Sequence, residues 1–293
     1  MCTLRFFNKL TSFALLIAAS SAYGQDPSTT TTFPQAIQGM PVVQEFNFGT
    51  NYNRNIRNLA QLADYFEPYG IAGTIVINQE WERYQTFNTT NFVFTPTTLD
   101  LTATIPTGGG LWPGGIASAQ IWSKMTLAPG MTGHLVYATE VRMRVPNGPG
   151  MWPDAWFFTK QWGIGDMSEI DNPEFFDMQW QTMLDWTGNN HGPGVGTNIY
   201  KLSTDPYVWH PGLNFSADYH DYQTFWTEDA VYKYVDGTLV QADHFTWTSK
   251  GAAQIGVNLA VGSNVATLPG LQPNSLSEFP AVLSVDHITI WGK

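Results

Sequence analysis

Cysteine is nearly absent from this 293-residue chain: the one instance is Cys2. A disulfide framework is therefore excluded, and stability must come from packing, with a bound ion as the other conceivable aid. Charge is also scarce. Asp, Glu, Lys and Arg together make up 13% of the residues, and the 13 Lys and Arg are outnumbered by 24 Asp and Glu, giving a formal net charge of −11. Such a surface repels nucleic acid, anionic lipid and sulfated polymers, which points to a neutral partner. Beyond the N-terminus no segment approaches the roughly 18 uninterrupted apolar residues of a membrane span, and no repeat unit or heptad run is present. A soluble monomer with no membrane association is expected.

Aromatic residues, by contrast, are abundant, at 14% of the chain with 12 Trp. Flat apolar side chains on a weakly charged surface suit flat ligands. Met1–Gly24 carries Arg5 and Lys9 ahead of the apolar run Phe13–Ala19 and the small residues Ser20-Ser21-Ala22. This pattern reads as a secretory signal peptide, cleaved after Ala22 or Gly24. Its removal would take the net charge to −13, because residues 1–24 contain no acid, and the destination would be extracellular or periplasmic. Residues 25–40, with Ser28 followed by four threonines, lack core-forming periodicity and read as a flexible leader. One domain is expected from Pro41 to Lys293.

Within that domain Ile56, Leu59, Ala60, Ala63 and Phe66 recur at helical spacing, which predicts one short helix. Elsewhere short runs rich in Val, Ile, Thr and aromatics alternate with Gly, Pro and Asn clusters, the pattern of an all-β sandwich. Strands are expected at Thr74–Ile77, Phe92–Thr95, Leu99–Ile105, Ala117–Lys124, Tyr137–Val145, Gln254–Val261 and Val282–Trp291. In Tyr137–Val145 the odd-numbered residues face the core, with Glu140, Arg142 and Arg144 opposite. Asp236-Gly237 between Ala230–Val235 and Thr238–Val240 signals a two-residue hairpin turn.

The chemistry concentrates in Ser168–Asp177, which holds four carboxylates in ten residues. Period-two alternation puts Glu169 and Asp171 on one face, but Glu174 falls five positions after Glu169 and would face away. One extra residue restores the register, and Pro173 stands where a β-bulge can supply it. The plainer alternatives are an acidic edge strand or a calcium loop, although the run lacks the glycine and regular ligand alternation of an EF-hand. Three aligned carboxylates with Trp nearby suit glycoside hydrolysis, in which one carboxylate attacks and another acid protonates the leaving oxygen. Four strand steps put the Cα atoms of Glu169 and Glu174 about 13 Å apart, a gap that inward-leaning side chains narrow toward the approximately 5–5.5 Å of a retaining pair. Asp171, between them, can hydrogen-bond one glutamate and, as a third negative charge, help to keep the other protonated near neutral pH.

Several segments together resemble glycoside hydrolase family 16, the laminarinase and lichenase group of jelly-roll enzymes. Glu169-Ile170-Asp171-Asn172-Pro173-Glu174 resembles its E-x-D-x-x-E signature, and Gly150–Trp156 its G-x-W-P-A-x-W segment. His220–Thr227 with Tyr234–Gly237 is similar to the H-x-Y-x-x-x-W-T and Y-x-D-G pair, while Thr139–Pro146, Asn258–Gly262 and Val285–Ile288 also correspond. The resemblance implies a β-sandwich jelly roll of two curved antiparallel sheets, with a polysaccharide cleft on the concave face. It implies Glu169 as nucleophile, Glu174 as general acid/base and Asp171 as assisting carboxylate. Trp152 and Trp156 would line subsites, with more weight on Trp152 and Trp156 expected in the core, and His220 would be a polar neighbour of the acidic strand. No cofactor is required for the chemistry. Asp286 resembles the side-chain ligand of a structural calcium remote from the cleft.

The departures are Asn172 and Pro173, where apolar residues are usual, and Asp154, which replaces the common Ala and places another acid near the cleft entrance. They bear on the substrate, as does the Gly- and Asn-rich loop Thr187–Pro211. The expectation is a secreted retaining endo-glycoside hydrolase acting on β-1,3- or mixed-linkage β-glucan. Alternatives are a galactan hydrolase or transglycosylase on the same scaffold, a non-catalytic carbohydrate-binding jelly roll, and a calcium-binding adhesion module.

Overall fold

Alternating apolar residues make strands, and their two faces decide where each strand packs. The computed structural model describes residues 31–69, 79–159, 169–176, 186–187, 190–191, 208–209, 211–244, 252–264 and 272–293. The expected signal peptide, the expected strand Thr74–Ile77 and most of the 187–211 loop lie outside the described residues.

In chain order the elements are α1 (Phe33–Ala36), β1 (Val42–Asn47), α2 (Leu59–Tyr65), β2 (Phe66–Glu67), β3 (Glu82–Tyr84), β4 (Phe92–Phe94), β5 (Leu99–Ala103), β6 (Ile116–Ser118) and β7 (Gln120–Leu127). They continue with β8 (Tyr137–Arg144), β9 (Met151–Thr159), β10 (Glu169–Glu174), β11 (Trp186–Thr187), β12 (Asn190–His191), β13 (Val208–Trp209) and β14 (His220–Trp226). The last are β15 (Ala230–Val235), β16 (Thr238–His244), β17 (Ala253–Val261), a 3-10 turn (Leu276–Glu278) and β18 (Ala281–Gly292).

Two antiparallel sheets form the sandwich. The outer sheet runs β16-β15-β14-β8-β18-β5-β4, with β1 also paired to β18; the inner sheet runs β12-β10-β9-β17-β7-β2. Their facing sides share one core: Val141 and Met143 of β8, Tyr222 and Trp226 of β14 and Ile288 and Ile290 of β18 meet Ala155 and Phe157 of β9, Ile170 of β10 and Val257 and Leu259 of β17. In β8 the expected alternation holds, with Tyr137, Thr139, Val141 and Met143 buried and Arg144 exposed. The Asp236-Gly237 turn has φ of 48° and 78°, the doubly left-handed backbone of a type I′ hairpin. The predicted helix is α2, whose N-cap Asn58 accepts the Gln61 amide at 3.0 Å and whose Leu62 is fully buried.

One expectation is overturned. Residues 33–40 are not a mobile leader: α1 lies on the far side of the outer sheet, where Phe33 is 1% exposed and meets Tyr234 and Trp291 edge-on at 5.5 and 5.7 Å. The Phe33 amide donates to the Gly237 carbonyl at 3.1 Å. Burying one phenyl ring is worth about 1.5–3 kcal/mol, enough to hold a four-residue helix down, and the threonine-rich neighbours hide it from pattern reading.

On that outer face Asp286 is held by cations. Its carboxylate accepts from Arg54, with Arg142 Nε 3.6 Å and His287 Nδ1 3.9 Å away. Burial pulls the Asp286 carboxyl up, but the hydrogen bonds from His287 and Arg54 and their charges hold it below its usual value. Burial works against the His287 charge, yet bonds to Asp286 and to Glu140 push its ring up to about 9. This surrounding does not fit a calcium ligand, because the guanidinium of Arg54 already supplies the positive charge at the carboxylate. Excess EDTA should therefore leave the melting temperature unchanged, whereas Arg54→Ala should lower it by several degrees, corresponding to about 1–3 kcal/mol for a lost charged hydrogen bond. Thermal scans of both samples check this.

Candidate active site

The register of β10 on β9 decides which side chains share the cleft. Odd-numbered residues of β9, such as Met151, Ala155 and Phe157, point into the core, so Trp152, Asp154, Trp156 and Phe158 lie on the opposite, outward side of the inner sheet. Glu169 pairs with Phe158 and Asp171 with Trp156; then the register slips, and Glu174 pairs with Asp154. Three steps on β10 are matched to two on β9, the one-residue bulge that Pro173 marks. All three acids consequently share the outward face, while Ile170 and Asn172 point inward.

Asn172 accounts for its departure from an apolar residue. Its Nδ2 donates to the Gln223 carbonyl at 2.7 Å and to Thr224 Oγ1 at 3.1 Å, which ties the bulge to β14 of the opposite sheet. An apolar side chain there would leave those acceptors without this donor.

Electrostatically the acids are unequal. Burial first, and the Glu169 charge second, hold Asp171 well above the usual carboxylate range. Its hydrogen bond with Glu169 raises it further and lowers Glu169, the direction expected when Asp171 is the donor of the pair. The expected hydrogen bond between Asp171 and one of the glutamates is thus present, and Glu169 is the partner. Glu169, half-buried, is pushed up to about 8 by burial and by the charge of Glu174, against the Asp171 hydrogen bond and the charge of Lys233. Lys233, fully buried on β15, was missed in the sequence. Its signal is visible in retrospect, since Val231-Tyr232-Lys233-Tyr234-Val235 puts the lysine on the same side as two core valines.

The aromatic floor differs from expectation in order. Trp152 is 2% exposed, covered by Phe176 with ring centroids 4.9 Å apart, so it is a buried wall, and its Nε1 meets no acceptor among the described residues. Trp156 is the more exposed of the two. Its Nε1 donates to Asn258 Oδ1 at 2.6 Å, and its ring meets Trp122 edge-on at 4.8 Å. Gly256 makes room for this floor, since a Cβ there would lie 2.7 Å from the Trp122 ring.

Among the described residues, the contacts of His220 are with groups other than the three acids. Its Nδ1 lies 2.7 Å from Asp236 Oδ2 and its ring packs on Phe215, so it anchors the hairpin turn. His191 pairs with Glu169 across β12 and β10. Asp154 is not at the cleft entrance: it is 8% exposed, directly across from Glu174.

A jelly-roll sandwich with three aligned acids over an indole floor is the frame of a carbohydrate-active protein, and the comparisons agree. The family described as Glycosyl hydrolases family 16 matches residues 86–267. This chain belongs to that family. Among relatives, the chain is 27% identical over 164 residues to Glucan endo-1,3-beta-glucosidase A1 of Niallia circulans, covering 52% of this chain and 24% of that protein. It is 27% identical over 169 residues to a Beta-glucanase of Rhodothermus marinus, covering 52% and 56%. The chain thus spans about a quarter to just over half of those relatives. The solved endo-1,3-beta-glucanase of Streptomyces sioyaensis superposes with a TM-score of 0.65 at 18% identity, over 86% of this chain and 96% of that one, a likeness of fold.

Proposed function

We propose that this chain is a secreted, monomeric, retaining endo-β-glucanase acting on β-1,3- or mixed-linkage β-1,3-1,4-glucan. The observation that carries the reading is the bulged register that sets Glu169, Asp171 and Glu174 on one face above Trp156. Glu169 attacks the anomeric carbon as Glu174 gives its proton to the glycosidic oxygen, so the C–O bond breaks and a glycosyl ester forms. Glu174, now ionised, takes a proton from water, which attacks the ester and restores Glu169. Asp171 donates to Glu169 throughout and sets its orientation. The exposed part of Trp156 offers an apolar face to a sugar ring. No metal or organic cofactor enters these steps. The names of the family relatives support glucan over other polymers, and the Met1–Gly24 pattern supports export.

The test is a polymer panel. New reducing ends are measured on laminarin, mixed-linkage glucan, agarose and carrageenan, with the anomer of the first product followed by proton NMR. Release of β-configured ends from laminarin or mixed-linkage glucan is expected. Cleavage of agarose or carrageenan alone would make it a galactan hydrolase, chain lengthening with little net release a transglycosylase, and silence on all four would return the chain to a carbohydrate-binding role.

A further inference from the structure

The carboxyl of Asp154 has no task in the scheme above, yet it stands where the general acid is set. Cross-strand partners on one face bring their Cβ atoms to about 4.5–5.5 Å, and two like charges placed so are unfavourable. One oxygen of Asp154 is fixed: Oδ2 accepts from Asn258 Nδ2 at 3.1 Å. Asn258 is itself fixed, with Oδ1 taken by Trp156 Nε1 at 2.6 Å and Nδ2 also reaching the Tyr84 hydroxyl at 3.1 Å. The other oxygen, Oδ1, is buried and meets no hydrogen-bond partner among the described residues. A buried carboxylate oxygen without a donor is costly, whereas a buried neutral carboxylic acid costs much less.

On this geometry, and resting on the hydrolase reading above, we propose that Asp154 is a positioning residue for the general acid, forming with Glu174 a cross-strand carboxyl pair that retains one proton between them. Among the described residues, the charges that act on Asp154 besides Glu174 are those of Asp171 from β10 and Glu80 ahead of β3, the Tyr84 hydroxyl lies in its field, and the one cation in reach of the pair is Lys233 of β15, which acts on Glu174 and Asp171. Burial first, then the charges of Glu174 and Asp171, hold Asp154 well above its usual range, with Asn258 pulling the other way. In such a pair the last proton leaves later than from either acid alone. The proton needed by the leaving oxygen is therefore kept at a pH where a lone glutamate would have lost it. The alanine usual at this position in the resembling family cannot do this.

The test is the pH profile of kcat/KM for the wild type, Asp154→Asn and Asp154→Ala on laminarin. The asparagine variant keeps an acceptor for Asn258, which guards against loss of the fold. The basic limb should move to lower pH by about one unit in both variants. A fall in kcat/KM at every pH with the limb unmoved would show a merely structural role and overturn the proposal. A second measurement needs no substrate: the Asp154 carboxyl, followed by carbon-13 NMR, should titrate at lower pH in Glu174→Gln than in the wild type, and an unchanged titration would also overturn the pair. If the wild type cleaves no polymer, the hydrolase reading fails, while this second measurement still decides the pairing.

Discussion

Replacing Glu169 is expected to abolish turnover while making the protein more stable. On the proposed role of Glu169 as nucleophile, Glu169→Ala should lose about four orders of magnitude or more in kcat, the scale seen when a covalent nucleophile is removed. Azide, small enough to enter the space left, should restore cleavage of an activated glycoside and give the inverted glycosyl azide. Rescue without inversion would place the nucleophile elsewhere. The stability gain follows from the proton. In the folded chain the Glu169 carboxyl titrates at about 8 against 4.5 for a free side chain, so between these values the folded state binds more protons than the unfolded one. Stability therefore falls as pH rises through that window and levels off above it. A shift of this size corresponds to roughly 4–5 kcal/mol, and screening in a half-open cleft leaves about half. Glu169→Gln, which cannot ionise, should match the wild type in melting temperature near pH 4.5. By pH 8 it should exceed the wild type by roughly 4–8 °C. A difference independent of pH would count against the raised carboxyl.

The second large effect concerns Lys233 behind the site. Both Lys233 and Asp243 are fully buried, and Gln241 Nε2 donates to Asp243 Oδ2 at 3.0 Å. Burial pushes Lys233 down to about 8, against the pull of Asp243 first and then of Asp171, Glu174 and Glu169. Lys233→Met leaves the Asp243 charge in an apolar interior and should cost about 3–5 kcal/mol, read from urea midpoints. Lys233→Met with Asp243→Leu should recover most of that loss, since the two changes couple. The double variant should also be the less active at neutral pH, because the lysine charge favours the ionised form of Glu169. A fully active double variant would confine Lys233 to packing.

Much of this was legible in advance, for identifiable reasons. Alternation in Tyr137–Val145, the Asp236-Gly237 pair and the count from Glu169 to Glu174 each depend only on neighbours in sequence, so period and turn chemistry suffice. What was hidden depends on distant chain. Phe33 is a lone aromatic in a polar stretch until β15 and β18 offer it Tyr234 and Trp291. Trp152 and Trp156 share one face of one strand, so alternation cannot rank them; Phe176, 24 residues beyond Trp152, covers the first and not the second. Asp154 could be placed near the cleft, but its opposition to Glu174 required the register across β9 and β10. Asp286 is a ligand only if no cation stands beside it, and Arg54 comes from a segment 232 residues away.

The bulge at Asn172-Pro173 also bears on how chain length can vary here. Counted on β9, Glu169 and Glu174 are separated by four residues, Phe158 to Asp154. Removing Pro173 would leave Glu-Ile-Asp-Asn-Glu, in which plain alternation sets the same three acids on the same face with the same four-step spacing. A single-codon gain or loss at this point therefore alters twist and the anchorage to β14 while leaving the acids facing the substrate. The strand can drift in length over generations without passing through an inactive arrangement.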